Sequence, residues 1–193
     1  MEIICLKEEQ EKYINEIAEM LKESFAENWP KAWPTIDSAL IEVRESLKVG
    51  RISLIALKEE KVVGWIGGIS ERDGKVWELH PLVVKKDEQG KGIGTALIAS
   101  FEHEVKQRGG LTIWLGTDDE NGMTSVSDKD LYPNLLKNIS EIKNLNNHPF
   151  EFYKKMGYEL AGILPDANGI GKPDIFMAKS VWRRKKDNEG SNR

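Results

Sequence analysis

The sequence predicts a mixed α/β fold with a mostly antiparallel central sheet flanked by helices on both faces. Three observations lead there: short β-rich runs alternate with helical apolar stripes, a meander of consecutive strands fills the end of the first half, and a strand, a glycine turn, a helix and a strand follow it. At 193 residues the chain is long enough for one domain with a substantial core and short for two. Residues 1–182 are expected to form that domain, and the polar stretch 183–193 a disordered tail.

Glu2 to Leu6 reads as a short first strand, and Ile14, Ile17, Ala18, Leu21 and Phe25 then recur at helical spacing. Trp29-Pro30-Lys31-Ala32-Trp33-Pro34 breaks this helix. Thr35 or Asp37 can cap a second one carrying Leu40, Ile41, Val43 and Leu47, which ends near Gly50. Ile52 to Leu57 and Val62 to Ile69, joined by the charged turn Lys58-Glu59-Glu60-Lys61, make a hairpin, and Lys75 to Val84 adds a strand after the turn at Asp73-Gly74. Beyond the glycine turn, Ile93, Leu97, Phe101 and Val105 at i+4 spacing give a helix that stops at Gly109-Gly110. Leu111 to Leu115 follows as a buried strand, parallel to the one before the turn. Thr117 to Leu145 is long for a connection, and Leu131, Tyr132, Leu135, Leu136, Ile139, Ile142 and Leu145 give it apolar groups to pack, so it is expected to be functional. A helix around Phe150, led by Asn146, and strands Glu159 to Ile163 and Ile175 to Val181 complete the order.

Composition narrows the function classes. The single Cys5 cannot form an internal disulfide, and His80, His103 and His148 show no metal-ligand spacing, so a reduced, metal-free cytoplasmic protein is expected. The acidic N-terminus lacks the order of a signal peptide, and no apolar run approaches the ~20 residues of a membrane span. A net charge of −4 argues against nucleic acid as a partner and permits a small cationic one; a homodimer is left open.

The most informative stretch is Gln89-Gly90-Lys91-Gly92-Ile93-Gly94, between the strand-like Leu82-Val83-Val84 and a helix. Glycines let a turn bring its backbone close to a ligand, and the free N–H groups that open a helix attract anions, so this is a phosphate cradle. A dinucleotide fingerprint would need glycine at Thr95, and a Walker loop needs Ser or Thr directly after its Gly-Lys, where Gly92 stands. What remains is Gln-x-x-Gly-x-Gly after a strand. That pattern resembles the acetyl-CoA-binding motif of the GNAT superfamily of N-acetyltransferases. Some sixty residues on, Asn146-Asn147-His148-Pro149-Phe150-Glu151-Phe152-Tyr153-Lys154-Lys155-Met156-Gly157-Tyr158 is similar to the other signature of that superfamily.

The resemblance implies acetyl-CoA as the acetyl donor, transferred to an amine by direct attack through a tetrahedral intermediate. Its pyrophosphate would lie on the backbone of Gln89, Gly90, Lys91, Gly92, Ile93, Gly94 and Thr95, and its pantetheine arm would pair with the main chain of Leu82, Val83 and Val84. Asn146 would contact CoA or cap its helix, and Tyr153 would be the general acid beside the sulfur. Glu78 and His80, two apart on one strand, face the same way, and either could draw a proton from the amine. Packing or ion pairing explains each of these residues as well.

Leu115-Gly116-Thr117-Asp118-Asp119-Glu120, Asn144 to Tyr153 and Leu164 to Ile175 resemble segments of bacterial aminoglycoside 6'-N-acetyltransferases. Such a substrate is a polycation covered in hydroxyls, suited to a carboxylate-rich site. Asp118, Asp119, Glu120, Asp166 and Asp174 are the acids expected there, with Trp29 and Trp33 as an apolar wall. Two other readings stay open: an acetyltransferase for a polyamine, amino sugar or peptide amine, and a non-catalytic acyl-CoA-binding module.

Overall fold

The structure is a computed structural model that describes residues 1–183. Seven strands form one sheet in the order β1-β2-β3-β4-β5-β7-β6, with β1 Glu2–Cys5, β2 Arg51–Lys58, β3 Lys61–Glu71, β4 Val76–Val84, β5 Thr112–Asp118, β6 Glu159–Leu164 and β7 Asp174–Ser180. All neighbours are antiparallel except β4 and β5. The expected polar tail falls, beyond Arg183, outside the described residues.

Side chains on successive strand positions point to opposite faces, so β2, apolar at nearly every position, is covered on both. Leu54 and Ala56 face α3 (Ile93–Gln107), whose Leu97, Ile98, Phe101 and Val105 are fully buried against the sheet together with Phe150 from α5 (Phe150–Lys155). Ile55 and Leu57 face α1 (Glu11–Phe25) and α2 (Ile36–Glu45), which contribute Ile14, Ile17, Leu21 and Val43. Thr35 is the residue that caps α2: its hydroxyl accepts from the Ser38 N–H at 3.1 Å, and Ser38 returns the bond to the Thr35 N–H at 3.2 Å.

Two differences from the sequence reading bear on the site. β5 does not stop at Leu115 but runs on through Gly116, Thr117 and Asp118, held by β7 along its whole length. Glycine inside a strand had suggested an end; here Gly116 makes room for the carboxylate of Asp174 on β7, because a Cβ would sit 2.6 Å from its Oδ2. The helix after the insertion begins at Phe150, with Pro149 at its N-cap position, and is not led by Asn146. Asn146 is exposed and donates instead to the Gly122 carbonyl at 3.2 Å.

The insertion between β5 and α5 holds a short helix, α4 (Leu135–Ser140), and an isolated bridge between Thr124 and Asn144. Val126 and Leu131 reach the core, and Leu135, Ile139 and Ile142 pack against it. Tyr132, Leu136 and Leu145 remain largely exposed, contrary to expectation, because they lie on the outer side of the insertion.

Candidate active site

β4 and β5 pair only from Val76 to Glu78, opposite Thr112 to Trp114. Beyond Glu78 the two strands splay, and among the described residues the edge of β4 from Leu79 to Val84 that faces β5 has no ladder partner. A cavity of about 760 Å³ opens there, lined along β4 by Leu79 to Val84. Val83 points into the core under α1 and α2, so Leu82 and Val84 offer the half-buried side chains and all three offer main chain.

At the end of β4 the chain turns into α3. Gly90 and Gly92 take φ of 73° and 83°, and Gly92 is the left-handed N-cap of α3. A non-glycine residue is strained in that region, whereas nothing lies within 4 Å of the Cβ position of Gly92. Among the described residues the N–H groups from Gly90 to Thr95 have no acceptor in the chain. The arrangement is an open nest of donors at the positive end of a fifteen-residue helix. Gln89 lines the cavity and ties the turn to β4, its Nε2 donating to the Val84 carbonyl at 3.1 Å. Lys91 is drawn to Glu88 at 3.2 Å, and the side chain of Ile93 is core, leaving only its backbone to the turn. The unpaired donors and the unpaired strand edge suit the phosphates and the amide-bearing arm of coenzyme A. Asn146 lies away from that cavity lining.

Two groups of reacting character, Tyr153 and His80, line the cavity, and a third, Glu78, stands two residues before His80 on β4, outside the lining. Tyr153, on α5, is 8% exposed; among the described residues its hydroxyl has no hydrogen-bond partner, and burial pushes its pKa up, keeping the phenol protonated. His80 sits 3.9 Å from Glu42 of α2, with its ring 5.9 Å from that of Trp33. Glu78, half-buried on the same face of β4, has its pKa raised first by desolvation and then by Glu71 and Glu42, with His80 opposing. A carboxylate so raised is a stronger base than an exposed one.

The far end of the cavity is aromatic and acidic. Trp29 and Trp33 line it, Phe25 stands edge-on to Trp33 at 4.7 Å, and the Trp29 indole N–H is buried without an acceptor among the described residues. Asp118 and Glu120 line the same cavity. The other expected acids divide differently. Asp119 is fully buried and accepts from the Met123 and Thr124 N–H groups, both at 2.8 Å, so it shapes the start of the insertion and cannot meet a ligand. Asp166 likewise closes its own loop, accepting from the Gly171 N–H at 2.7 Å. Asp174, beside Asp118 across the β5–β7 pair, is not among the residues that line the cavity; it is half-buried, its Oδ1 lacks a partner among the described residues, and desolvation and the charge of Asp118 raise its pKa to about 6.

Sequence reasoning passed over Glu42 and Asn168. Glu42 joins the lining from α2, whose charged face carried no hint of which residue turns inward, and Asn168 donates its side-chain amide to Asp118 from within the Leu164 to Ile175 segment. No helix among the described residues is long and apolar enough to cross a membrane.

Comparison with known proteins fits this geometry. The sequence profile of the acetyltransferase (GNAT) family matches residues 14–124. A crystal structure of an aminoglycoside 6'-N-acetyltransferase complexed with coenzyme A is 38% identical, with a TM-score of 0.87 over 95% of this chain and 99% of that one. The aminoglycoside 6'-N-acetyltransferase from Enterococcus faecium is also 38% identical, with a TM-score of 0.86 and the same coverage. An uncharacterized N-acetyltransferase of Methanocaldococcus jannaschii is 29% identical over 97 residues, 49% of this chain; the match spans only 30% of that relative's length. With more than half of its sequence matched, a splayed β4–β5 pair and a glycine turn opening α3, the chain belongs to the acetyltransferase (GNAT) family.

Proposed function

We propose that this protein transfers an acetyl group from acetyl-CoA to the 6'-amine of an aminoglycoside. The observation that carries the reading is one continuous cavity whose lining runs from Gln89 and Val84, beside the glycine turn, past Tyr153 to the acids Glu42, Asp118 and Glu120 and the tryptophans Trp29 and Trp33. When bound, acetyl-CoA supplies an activated thioester. The N–H groups of Gly90 to Thr95 hold its pyrophosphate, and the free edge of β4 at Leu82 to Val84 pairs with its pantetheine amides. Glu78, directly or through water beside His80, takes a proton from the acceptor nitrogen, and Tyr153 gives one to the departing sulfur. Asp118, Glu120, Glu42 and Asp174 hold the remaining ammonium groups, while Trp29 and Trp33 cover an apolar sugar face. Acetylation neutralises one cationic group of the drug, which is an antibiotic-resistance activity.

The relatives named above as aminoglycoside 6'-N-acetyltransferases support the acceptor class. The test is steady-state release of the CoA thiol with kanamycin, spermidine, glucosamine and an alanine-led peptide as acceptors. Kanamycin is expected to have the highest kcat/KM, and turnover of another amine alone would overturn the acceptor assignment.

A further inference from the structure

His148 and Asp118 are thirty positions apart, yet one hydrogen bond joins them across the neck of the insertion: the His148 Nε2 lies 3.2 Å from the Asp118 carbonyl. The other ring nitrogen, Nδ1, accepts from the Phe150 N–H at 3.3 Å. A carbonyl can only accept and an amide N–H can only donate, so the ring must be neutral with its proton on Nε2. The side chain is 1% exposed, and its burial lowers the pKa despite the charges of Asp118 and Asp119. The backbone is clamped as well. Asn144 donates to the His148 carbonyl and accepts from its N–H, both at 2.8 Å, and Asn144 is bridged in turn to Thr124.

The two elements fastened in this way carry the two sides of the cavity. Asp118 ends β5 on the acceptor side; Pro149 and Tyr153 open α5 on the donor side, the Tyr153 N–H bonding to the Pro149 carbonyl at 3.4 Å. We propose that His148 is a positioning residue for acetyl transfer, a neutral bolt that fixes α5 against the end of β5 so that the Tyr153 hydroxyl meets the reacting sulfur. The inference rests on the acetyl-transfer reading with Tyr153 as acid. It explains how a long insertion is tolerated between the acceptor wall and the acid: the neck bond makes their relation independent of the path between.

The test is a double-mutant cycle of His148→Phe, which fills the space without either hydrogen bond, and Tyr153→Phe, with kanamycin as acceptor and CoA affinity measured separately by calorimetry. His148→Phe is expected to lower kcat about 10- to 100-fold, the scale of a misplaced reacting group, with CoA affinity within about twofold. In the Tyr153→Phe background the same change should cost less than about twofold, because its target is gone. His148→Gln, which keeps a donor for the Asp118 carbonyl, should recover much of the rate; if the Phe variant does not fold, His148→Leu, which also lacks both hydrogen bonds, takes its place in the cycle. An undiminished kcat in folded His148→Phe, or a loss that persists in full without the Tyr153 hydroxyl, overturns the inference alone. A wild-type rate in Tyr153→Phe overturns the acid role and the inference together. If kanamycin is not turned over, the acceptor assignment falls and the cycle is run with spermidine. Nitrogen-15 spectra of labelled histidine give a reading free of turnover: His148 should remain the Nε2–H tautomer to below the ordinary pKa of 6.5, and an Nδ1–H form near neutrality would contradict the bolt.

Discussion

Asp174 shows how the burial of one residue sets a pH dependence. Its pKa is raised from the ordinary 3.8 to about 6, so between these values the folded chain holds a proton that the unfolded chain releases. Stability from this group is therefore lost as pH rises through about 6 and regained as pH falls toward 3.8. Asp174→Asn is expected to raise the melting temperature at pH 8 and to change it little at pH 4, by calorimetry. A cationic acceptor favours the ionised form, so its KM should fall between pH 5 and 7 in the wild type and lose that dependence in Asp174→Asn. Tyr153→Phe should lower kcat by about 10²- to 10⁴-fold at unchanged CoA affinity, as removal of a general acid does. At this scale sequence legibility was uneven. Asp118, Asp119 and Glu120 read as one acidic turn, but strand alternation and a local hydrogen-bonding need send Asp118 and Glu120 to the cavity and Asp119 into the interior. Nothing in an acidic triplet tells which carboxylate satisfies buried N–H groups, since that depends on the path of residues after it.

At the scale of elements the glycine turn and the insertion are the informative pair. Gly92→Val places a β-branched side chain in open space but at φ of 83°, straining the N-cap of α3. CoA affinity should fall at least tenfold in calorimetry while circular dichroism keeps the native spectrum; unchanged affinity would contradict the cradle. Asp119→Ala leaves the Met123 and Thr124 N–H groups without their acceptor, and should destabilise the insertion by about 1–3 kcal/mol, seen as faster amide exchange between residues 120 and 146. The turn was legible because three glycines at alternate positions carry a local backbone requirement. Helix α2 was legible through Thr35, whose capping bond is local too. The extension of β5 past Gly116 was not, because the reason for that glycine is Asp174 on a strand far away in sequence.

Across the whole molecule, the sheet places residues beside the glycine turn, several acids and two tryptophans on one cavity. A net charge of −4 adds attraction for a polycation beyond the direct contacts, so added salt should raise the acceptor KM more than the acetyl-CoA KM. The hairpin and meander β2-β3-β4 and the crossover to β5 could be read because those connections are local; the place of β7 between β5 and β6 could not, since it is set by pairing across a long stretch of chain. The assignment of Glu42 could not, since it depends on α2 bringing Glu42 within 3.9 Å of His80 on β4. The most direct measurement is mass spectrometry and NMR of the product formed from kanamycin and acetyl-CoA. A single added acetyl group on the 6'-nitrogen is expected; unmodified kanamycin, with spermidine or the peptide acetylated in parallel, would contradict the aminoglycoside reading.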